Sequence, residues 1–373
     1  MGDCKIDQKI GNKMIKLIPK IFFYKLSRTF GFAKMLPMNY TVSVCYSCNS
    51  HCKTCNIYKK KADNLNLSEY EEIFRKIGKS PYWVTISGGE PFLREDLAEI
   101  CQIIYKHSKP KIINIPSNGL MTKTIVNVVQ KIAESCPQSQ IIINLSVDEI
   151  GKKHDEIRGV PGNYKNVMRT FERLKKIPQQ NLSVGIHTVI SKFNVKNLSQ
   201  ISNTLMNLNP DSYITEIAEE RIELDTIGAD ITPDQFAYSS AIDLLIHRIK
   251  YGKFKGMHKI TQAFRIEYYN FVKKILRDKK QIIPCYAGIA SAQISPDGDI
   301  WSCCIKAESM GNLRKNDYNF KKIWFNKKMK DERKSIKNKE CYCPLANAGY
   351  TNMLMDFPTL FRVSFRSFIK WWS

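Results

Sequence analysis

The sequence contains no apolar run near the roughly 18–20 residues that a membrane-crossing helix requires. It also lacks a secretory signal. Its first thirty residues hold Lys5, Lys9, Lys13, Lys16, Lys20, Lys25 and Arg28 and no long apolar stretch. Low-complexity tracts are absent, and no repeat is found beyond a strand–helix unit. Acidic residues are scarce: 35 Asp and Glu face 58 Lys and Arg, a formal net charge of +23. The expectation is a cytoplasmic protein. Its apolar fraction of 43% and charged fraction of 25% are ordinary for a folded domain, so disorder is not the default reading. The basic excess suits nucleic acid, an anionic membrane surface, acidic substrates, or only a solvated Lys-rich surface.

What is present begins with length and sulfur. A chain of 373 residues can bury one large α/β domain and a smaller one without disulfides. Yet it holds 12 cysteines. In a reducing compartment, clustered cysteines more often bind metal than cross-link.

From residue 40, short β-branched runs alternate with longer amphipathic stretches. The runs span 40–46, 83–88, 111–117, 141–147, 182–190 and 212–218. Helix-like segments lie near 67–79, 95–108, 122–135, 163–177 and 195–208. Ser68 is expected to cap the first of these, with Glu71 completing a capping box. Near-continuous apolar strands joined by helices predict an α/β fold with a parallel sheet, either a partial (β/α)6 TIM-like barrel or an open doubly wound sheet. The barrel is the expectation adopted. After residue 219 come two helical stretches, 233–251 and 259–279, and then a small Cys-rich α+β region. The expected divisions are a basic amphipathic segment at 1–37, the barrel at 38–220, connecting helices at 221–282, the Cys-rich domain at 283–350 and a basic aromatic helix at 351–373.

Parallel α/β architectures place their chemistry at the C-terminal ends of strands. The polar punctuation falls there. "CNSHCKTC" (48–55) follows strand one, "GGEP" (88–91) strand two, "SNG" (117–119) strand three, and "SVD" (146–148) closes strand four. Cys48, Cys52 and Cys55 have C-x3-C-x2-C spacing. A structural zinc needs four ligands, for which His51 or Cys45 could complete the set. Three thiolates on a four-iron cubane instead leave one iron open for a ligand. His51 reads more readily as an exposed loop residue and Cys45 as a small buried hydrophobe. Gly88 and Gly89 permit close backbone approach, and Glu90 offers a carboxylate to an ammonium group. Asp148 is either a functional carboxylate or a turn cap. Glu216 either faces the site or pairs with a cation. Cys4, Cys101 and Cys136 have no partner spacing.

These motifs, with "NLSVDEIGKKHDEIRG" (144–159), resemble the radical SAM superfamily in order and spacing over about residues 38–220. The resemblance implies that Cys48, Cys52 and Cys55 hold a [4Fe–4S] cluster whose open iron binds S-adenosylmethionine. It assigns the methionyl amine to Gly88, Gly89 and Glu90. Ser146 would contact the ribose or methionyl portion. Arg169 would bind the carboxylate, with Arg158 as second choice. Thr54 departs from the pattern, because the family often carries an aromatic residue there.

"PCYAGIASAQISPDGDIWSCCIKAES" (284–309) reads as a hairpin, Asp-Gly being its turn signal. With "ECYCPL" (340–345) it resembles the SPASM or twitch extension of radical SAM enzymes. That implies one auxiliary [4Fe–4S] cluster on Cys285, Cys303, Cys341 and Cys343, with a structural zinc as the alternative. Neighbouring residues on a strand point to opposite faces, so only one of Cys303 and Cys304 should ligate.

In the C-terminal stretch, Phe361, Phe365, Phe368 and Trp372 fall on one helical face and Arg362, Arg366 and Lys370 on another. With "KMIKLIPKIFFYKLSRTFGF" (13–32), this suggests peripheral contact with the inner membrane surface. The expected function is a radical SAM enzyme of oxidoreductase type. Its substrate is read as a peptide, a lipid or a lipid-linked sugar, and its electron donor as a flavodoxin or ferredoxin. The lack of a peptide-binding domain before residue 38 weighs mildly against the peptide. The rival readings are an iron–sulfur electron-transfer protein and a zinc-dependent, basic nucleic-acid-binding protein. The rim motifs disfavour a nucleic-acid partner.

Overall fold

The computed structural model describes residues 18–31, 35–252, 254 and 256–368. Cys4, Lys370, Trp371, Trp372 and residues 1–17 of the expected N-terminal segment lie outside them. The first elements are α1 (Ile18–Phe30), β1 (Asn39–Ser43), α2 (Leu67–Ile77), β2 (Trp83–Ser87), α3 (Leu97–Ser108), β3 (Ile112–Ser117) and α4 (Thr122–Ser135). There follow β4 (Gln140–Ser146), α5 (Lys152–Arg158), α6 (Asn163–Leu174), β5 (Leu182–Ile190), α7 (Leu198–Met206) and β6 (Ser212–Ile217). Next are α8 (Gln235–Tyr251), α9 (Met257–Asp278), β7 (Ser291–Ile294), β8 (Asp299–Trp301) and β9 (Ser309–Asn312). The chain closes with α10 (Phe320–Trp324), α11 (Lys327–Lys337), α12 (Ala346–Leu354) and α13 (Phe357–Phe368). All six expected strands are present. The expected helices between 67 and 279 differ only at their ends; α5, α10 and α11 are additional, and the helix expected at 351–373 is broken between α12 and α13.

The strands form one open sheet in the order β6-β5-β4-β3-β2-β1-β7-β8-β9. Strands β1 to β6 pair in parallel, as a partial barrel requires. The hairpin of β7 and β8 is the expected one. Its attachment was not expected: β7 pairs in parallel with β1, Asn39 opposite Ser291 through Val42 opposite Ile294. The Cys-rich region therefore extends the barrel's own sheet. Ala292, Ile294, Ile300, Phe320 and Trp324 share one hydrophobic core with Val42, Val84 and Ile113.

The strands are apolar on one face only, which corrects the near-continuous apolar reading. Tyr40, Val42, Val84, Ile86, Ile113, Ile115, Ile141 and Ile143 are fully buried in the core beneath the helices. Successive side chains alternate faces, so Asn39, Thr41, Thr85, Asn114, Asn144, Ser146, His187 and Glu216 line the concave side. There Asn144 Nδ2 donates to Asn114 Oδ1 (2.7 Å), and His187 Nε2 lies 3.3 Å from Glu216 Oε1. Helix α12 sits against this face through Asn347, which accepts from Asn39 Nδ2 (2.8 Å) and donates to Thr41 Oγ1 (2.7 Å). These bonds offset part of the cost of burying a polar face, while Asn39 Oδ1 and Asn144 Oδ1 are buried without a partner.

The cap of α2 also differs from expectation. Asn66, not Ser68, is the N-cap: its side chain accepts from the Glu69 N–H, and Glu69 returns a bond to the Asn66 N–H. The helix begins at Leu67, so the box closes on Glu69 rather than Glu71. The Ser68 hydroxyl donates to Asn66 Oδ1 instead.

Candidate active site

The loop carrying Cys48, Cys52 and Cys55 leaves β1 and is bound on three sides. His51 and Lys53 donate their N–H groups to the carbonyls of Arg158 (3.0 Å) and Ile157 (2.8 Å), at the end of α5. The Asn56 N–H donates to Leu224 O (2.9 Å), beyond β6. Asn118 Nδ2 donates to Asn49 Oδ1 (2.7 Å) and Ser50 Oγ (3.1 Å), tying the loop to the end of β3. The His51 ring packs on Tyr58 and is exposed, as a loop residue should be. Cys45 is 2% exposed and lies under the loop as a small hydrophobe.

The glycines of "GGEP" have a steric reason. A Cβ on Gly88 would stand 2.2 Å from Cys45 O, and one on Gly89 would stand 2.1 Å from Ser47 O. Gly88 also holds φ at +128°, where side chains are strained. The Gly89 and Glu90 N–H groups donate to Cys45 O (2.8 Å) and Ser47 O (2.9 Å), closing the turn onto the cysteine loop. Glu90 departs from its expected part. It is 1% exposed, and its carboxylate accepts from Asn118 N (2.8 Å), Ser117 Oγ (3.0 Å) and Phe92 N (3.3 Å). Burial pushes this carboxyl up to about 7. Glu90 thus joins β2 to β3 by bonds within the chain.

Asp148 and Arg158 form the second support. Asp148 is 1% exposed; its Oδ2 lies 2.8 Å from Arg158 Nε, and its Oδ1 accepts from the Val189 N–H (2.9 Å). Arg158 in turn reaches Cys52, with Nη1 3.7 Å from Sγ. His154 is fully buried and kept neutral by burial. Its Nδ1 accepts from the Asp148 N–H (3.1 Å), and its Nε2 pairs with Asn163 Oδ1 (2.7 Å). Helix α5 is short, and sequence reading passed it over. "HDEIR" nevertheless carried the signal, since a histidine and an arginine four apart share one helical face. Ser146 ends β4 half-buried at the rim. Arg169 is exposed on α6, and it is Arg158 whose guanidinium lies beside a cysteine of the loop.

The donor set fits a cluster. Burial is the first cause raising all three loop thiols, Cys48 to about 12 and Cys55 to about 11, so these sulfurs hold protons unless a cation replaces them. Among the described residues no three His, Cys, Asp or Glu groups converge on a single metal ion. A cubane differs, because each thiolate takes its own iron.

The second set gathers behind β7 and β8. Gln281 stitches it: its Oε1 accepts from the Cys285 N–H (3.3 Å), and its Nε2 donates to Cys341 O (3.4 Å). Burial raises the thiols of Cys285, Cys303, Cys341 and Cys343. Repulsion between neighbouring thiolates raises Cys303, Cys341 and Cys343 further. Cys304 packs beside Cys343 in a small apolar cluster with Leu345 and Ala348, and Arg221 Nη1 lies 3.7 Å from its sulfur. Arg221 belongs to a buried group after β6 that sequence reading missed. Glu219 and Glu223 are each 7% exposed, Gln293 bonds Glu223, and burial pushes Glu219 up to about 8.

The radical SAM superfamily model matches residues 42–205, and that of an iron–sulfur cluster-binding domain, SPASM, matches 285–344. An AdoMet-dependent heme synthase of Oleidesulfovibrio alaskensis is 25% identical over 302 residues, 74% of this chain and 72% of its own. The antilisterial bacteriocin subtilosin biosynthesis protein AlbA of Bacillus subtilis is 21% identical over 297 residues, 76% of this chain and 59% of its own. Crystal structures of Streptococcus suis SuiB, bound to S-adenosylmethionine or to precursor peptide SuiA, share the fold. Their TM-score is 0.59 at 15% and 14% identity, over 80% and 83% of this chain and 68% and 69% of theirs.

Proposed function

Since the chain belongs to the radical SAM superfamily and carries a SPASM segment, we propose that it is a peptide-modifying radical enzyme whose first cluster sits on Cys48, Cys52 and Cys55. It binds [4Fe–4S] clusters and S-adenosylmethionine. When bound, these supply a 5′-deoxyadenosyl radical that abstracts hydrogen from the substrate. The observation that carries the residue assignment is the locking of the cysteine loop onto the "GGEP" and "SNG" turns. In this reading the backbone at Gly88 and Gly89 receives the methionyl amine, with Glu90 holding that backbone in place. Ser146 faces the ribose or methionyl portion. Arg158, rather than Arg169, supplies the cation beside the open iron. Cys285, Cys303, Cys341 and Cys343 hold one auxiliary [4Fe–4S] cluster.

The peptide substrate rests on relatives. AlbA is named for bacteriocin biosynthesis, and SuiB was solved with a precursor peptide. A small acidic redox protein, flavodoxin or ferredoxin, is the donor suited to a chain of net charge +23. The test uses anaerobically reconstituted protein with S-adenosylmethionine and dithionite. Release of 5′-deoxyadenosine, lost in a Cys48→Ala/Cys52→Ala/Cys55→Ala variant, is the expected result. Full iron and sulfide with no 5′-deoxyadenosine refutes the radical reading. Label transfer from a deuterated peptide into 5′-deoxyadenosine tests the substrate class.

A further inference from the structure

Helices α1 and α13 present an outward aromatic face. On α1, Tyr24 and Ser27 turn inward, while Phe22, Phe23 and Phe30 are 57%, 53% and 68% exposed. On α13, Thr359 and Val363 turn inward, while Phe357, Phe361 and Phe365 are 55%, 72% and 59% exposed. The helices meet where Lys25 Nζ lies 3.3 Å over the Phe357 ring. Phe361 and Phe365 stack at 6.3 Å between centroids. An apolar face this concentrated is not ordinary surface.

Of the basic face expected from sequence, Lys370 lies outside the described residues and both arginines are tied to one buried carboxylate. Arg362 Nε and Arg366 Nε bind the carboxylate of Glu267, a 6% exposed residue, at 2.7 and 3.0 Å. They anchor the helix with its rings outward. The cations beside the rings come from elsewhere. Lys25 lies beside the Phe357 ring on α1, and α11 abuts α1 through the Lys337 Nζ bond to Thr29 O (2.7 Å). Along α11, Lys327, Lys330, Lys334 and Lys337 are exposed together with Asp331, while Lys328 pairs with Glu308 (3.0 Å). Neither α1 nor α13 contains an acidic residue.

We propose that this face docks on an anionic lipid bilayer. Phenyl rings enter the boundary between headgroups and acyl chains, and lysines meet the phosphates. No helix among the described residues is long and apolar enough to cross a membrane, so the attachment is peripheral. The proposal is independent of the reaction assigned above.

The test is co-flotation of the full chain with vesicles of phosphatidylcholine, with and without phosphatidylglycerol. Flotation with the anionic vesicles, weakened by salt, is expected. A Phe361→Glu/Phe365→Glu variant should lower the partition coefficient at least about tenfold while 5′-deoxyadenosine release stays unchanged. No flotation, or equal flotation of wild type and variant, overturns the proposal. So does light scattering that shows a dimer made monomeric by the same variant, which assigns the face to a second copy of the chain.

Discussion

Replacing Arg158 with Leu removes the cation paired with Asp148. The two stand 2.8 Å apart, and Asp148 is 1% exposed. At an effective dielectric of about 20, their gross attraction is roughly 6 kcal/mol. Part of that is cancelled by the dehydration of both groups. What the single substitution costs is the stranding of a buried carboxylate, about 3–5 kcal/mol, because Asp148 keeps only its bond from the Val189 N–H. Asp148→Asn retains that bond in amide form and should cost less. Asp148→Asn/Arg158→Leu together should cost less than the sum of the two by about 2 kcal/mol or more, since neither charge is then stranded. Urea unfolding of the four proteins, metal-free and under reductant at pH 7, reads the cycle. Additive costs would show that the pair does no clamping and would refute the reasoning. A loss of iron is also expected in both variants that carry Arg158→Leu, since Arg158 Nη1 lies 3.7 Å from Cys52 Sγ.

Glu90 folds with its pKa raised to about 7 by burial, against about 4.3 unfolded. Its protonated form therefore favours the fold below pH 4.3, and that contribution is lost as pH rises through 7, by roughly 3–4 kcal/mol. Glu90→Gln stays neutral, so the unfolding free energy of wild type relative to the variant should fall between pH 5 and 8; a flat difference contradicts the burial argument. Cys303→Ser should lower iron and sulfide by about one cluster per chain, and Cys304→Ser should leave both unchanged. The reverse pattern in metal analysis would exchange their roles. Gly89→Ala places a Cβ against the Ser47 carbonyl, and calorimetry should show S-adenosylmethionine binding lost; retained affinity would mean that the turn shifts without consequence.

The barrel was legible because local signals were strong and agreed: β-branched runs, helical periodicity and polar strand ends each located the same six units. The rim was legible as motifs but not as contacts. "GGEP" announced close backbone approach, yet only the fold shows that the approaching groups are the carbonyls of Cys45 and Ser47. Arg158 and Arg169 carry identical chemistry in sequence. They separate only because α5 ends against the cysteine loop while α6 turns Arg169 to solvent. The cap at Asn66 was misplaced by two residues because Ser68 and Glu71 satisfy the same box pattern. The pairing of β7 with β1 left no local trace, since parallel partners are chosen by tertiary packing rather than by neighbours in the chain.

That pairing has a mechanical meaning. Two sequence families meet in this chain at a connecting stretch, as if two modules had been joined by a hinge. The ladder from Asn39–Ser291 to Val42–Ile294 makes the junction a weld. Pulling the auxiliary region away would strip an interior strand of its partner and open the shared core around Ile294 and Trp324. The two cysteine sets are therefore mounted on one stiff plate, and their separation is a constant of the sheet. A chain severed at 282 should yield two pieces that each expose a raw sheet edge.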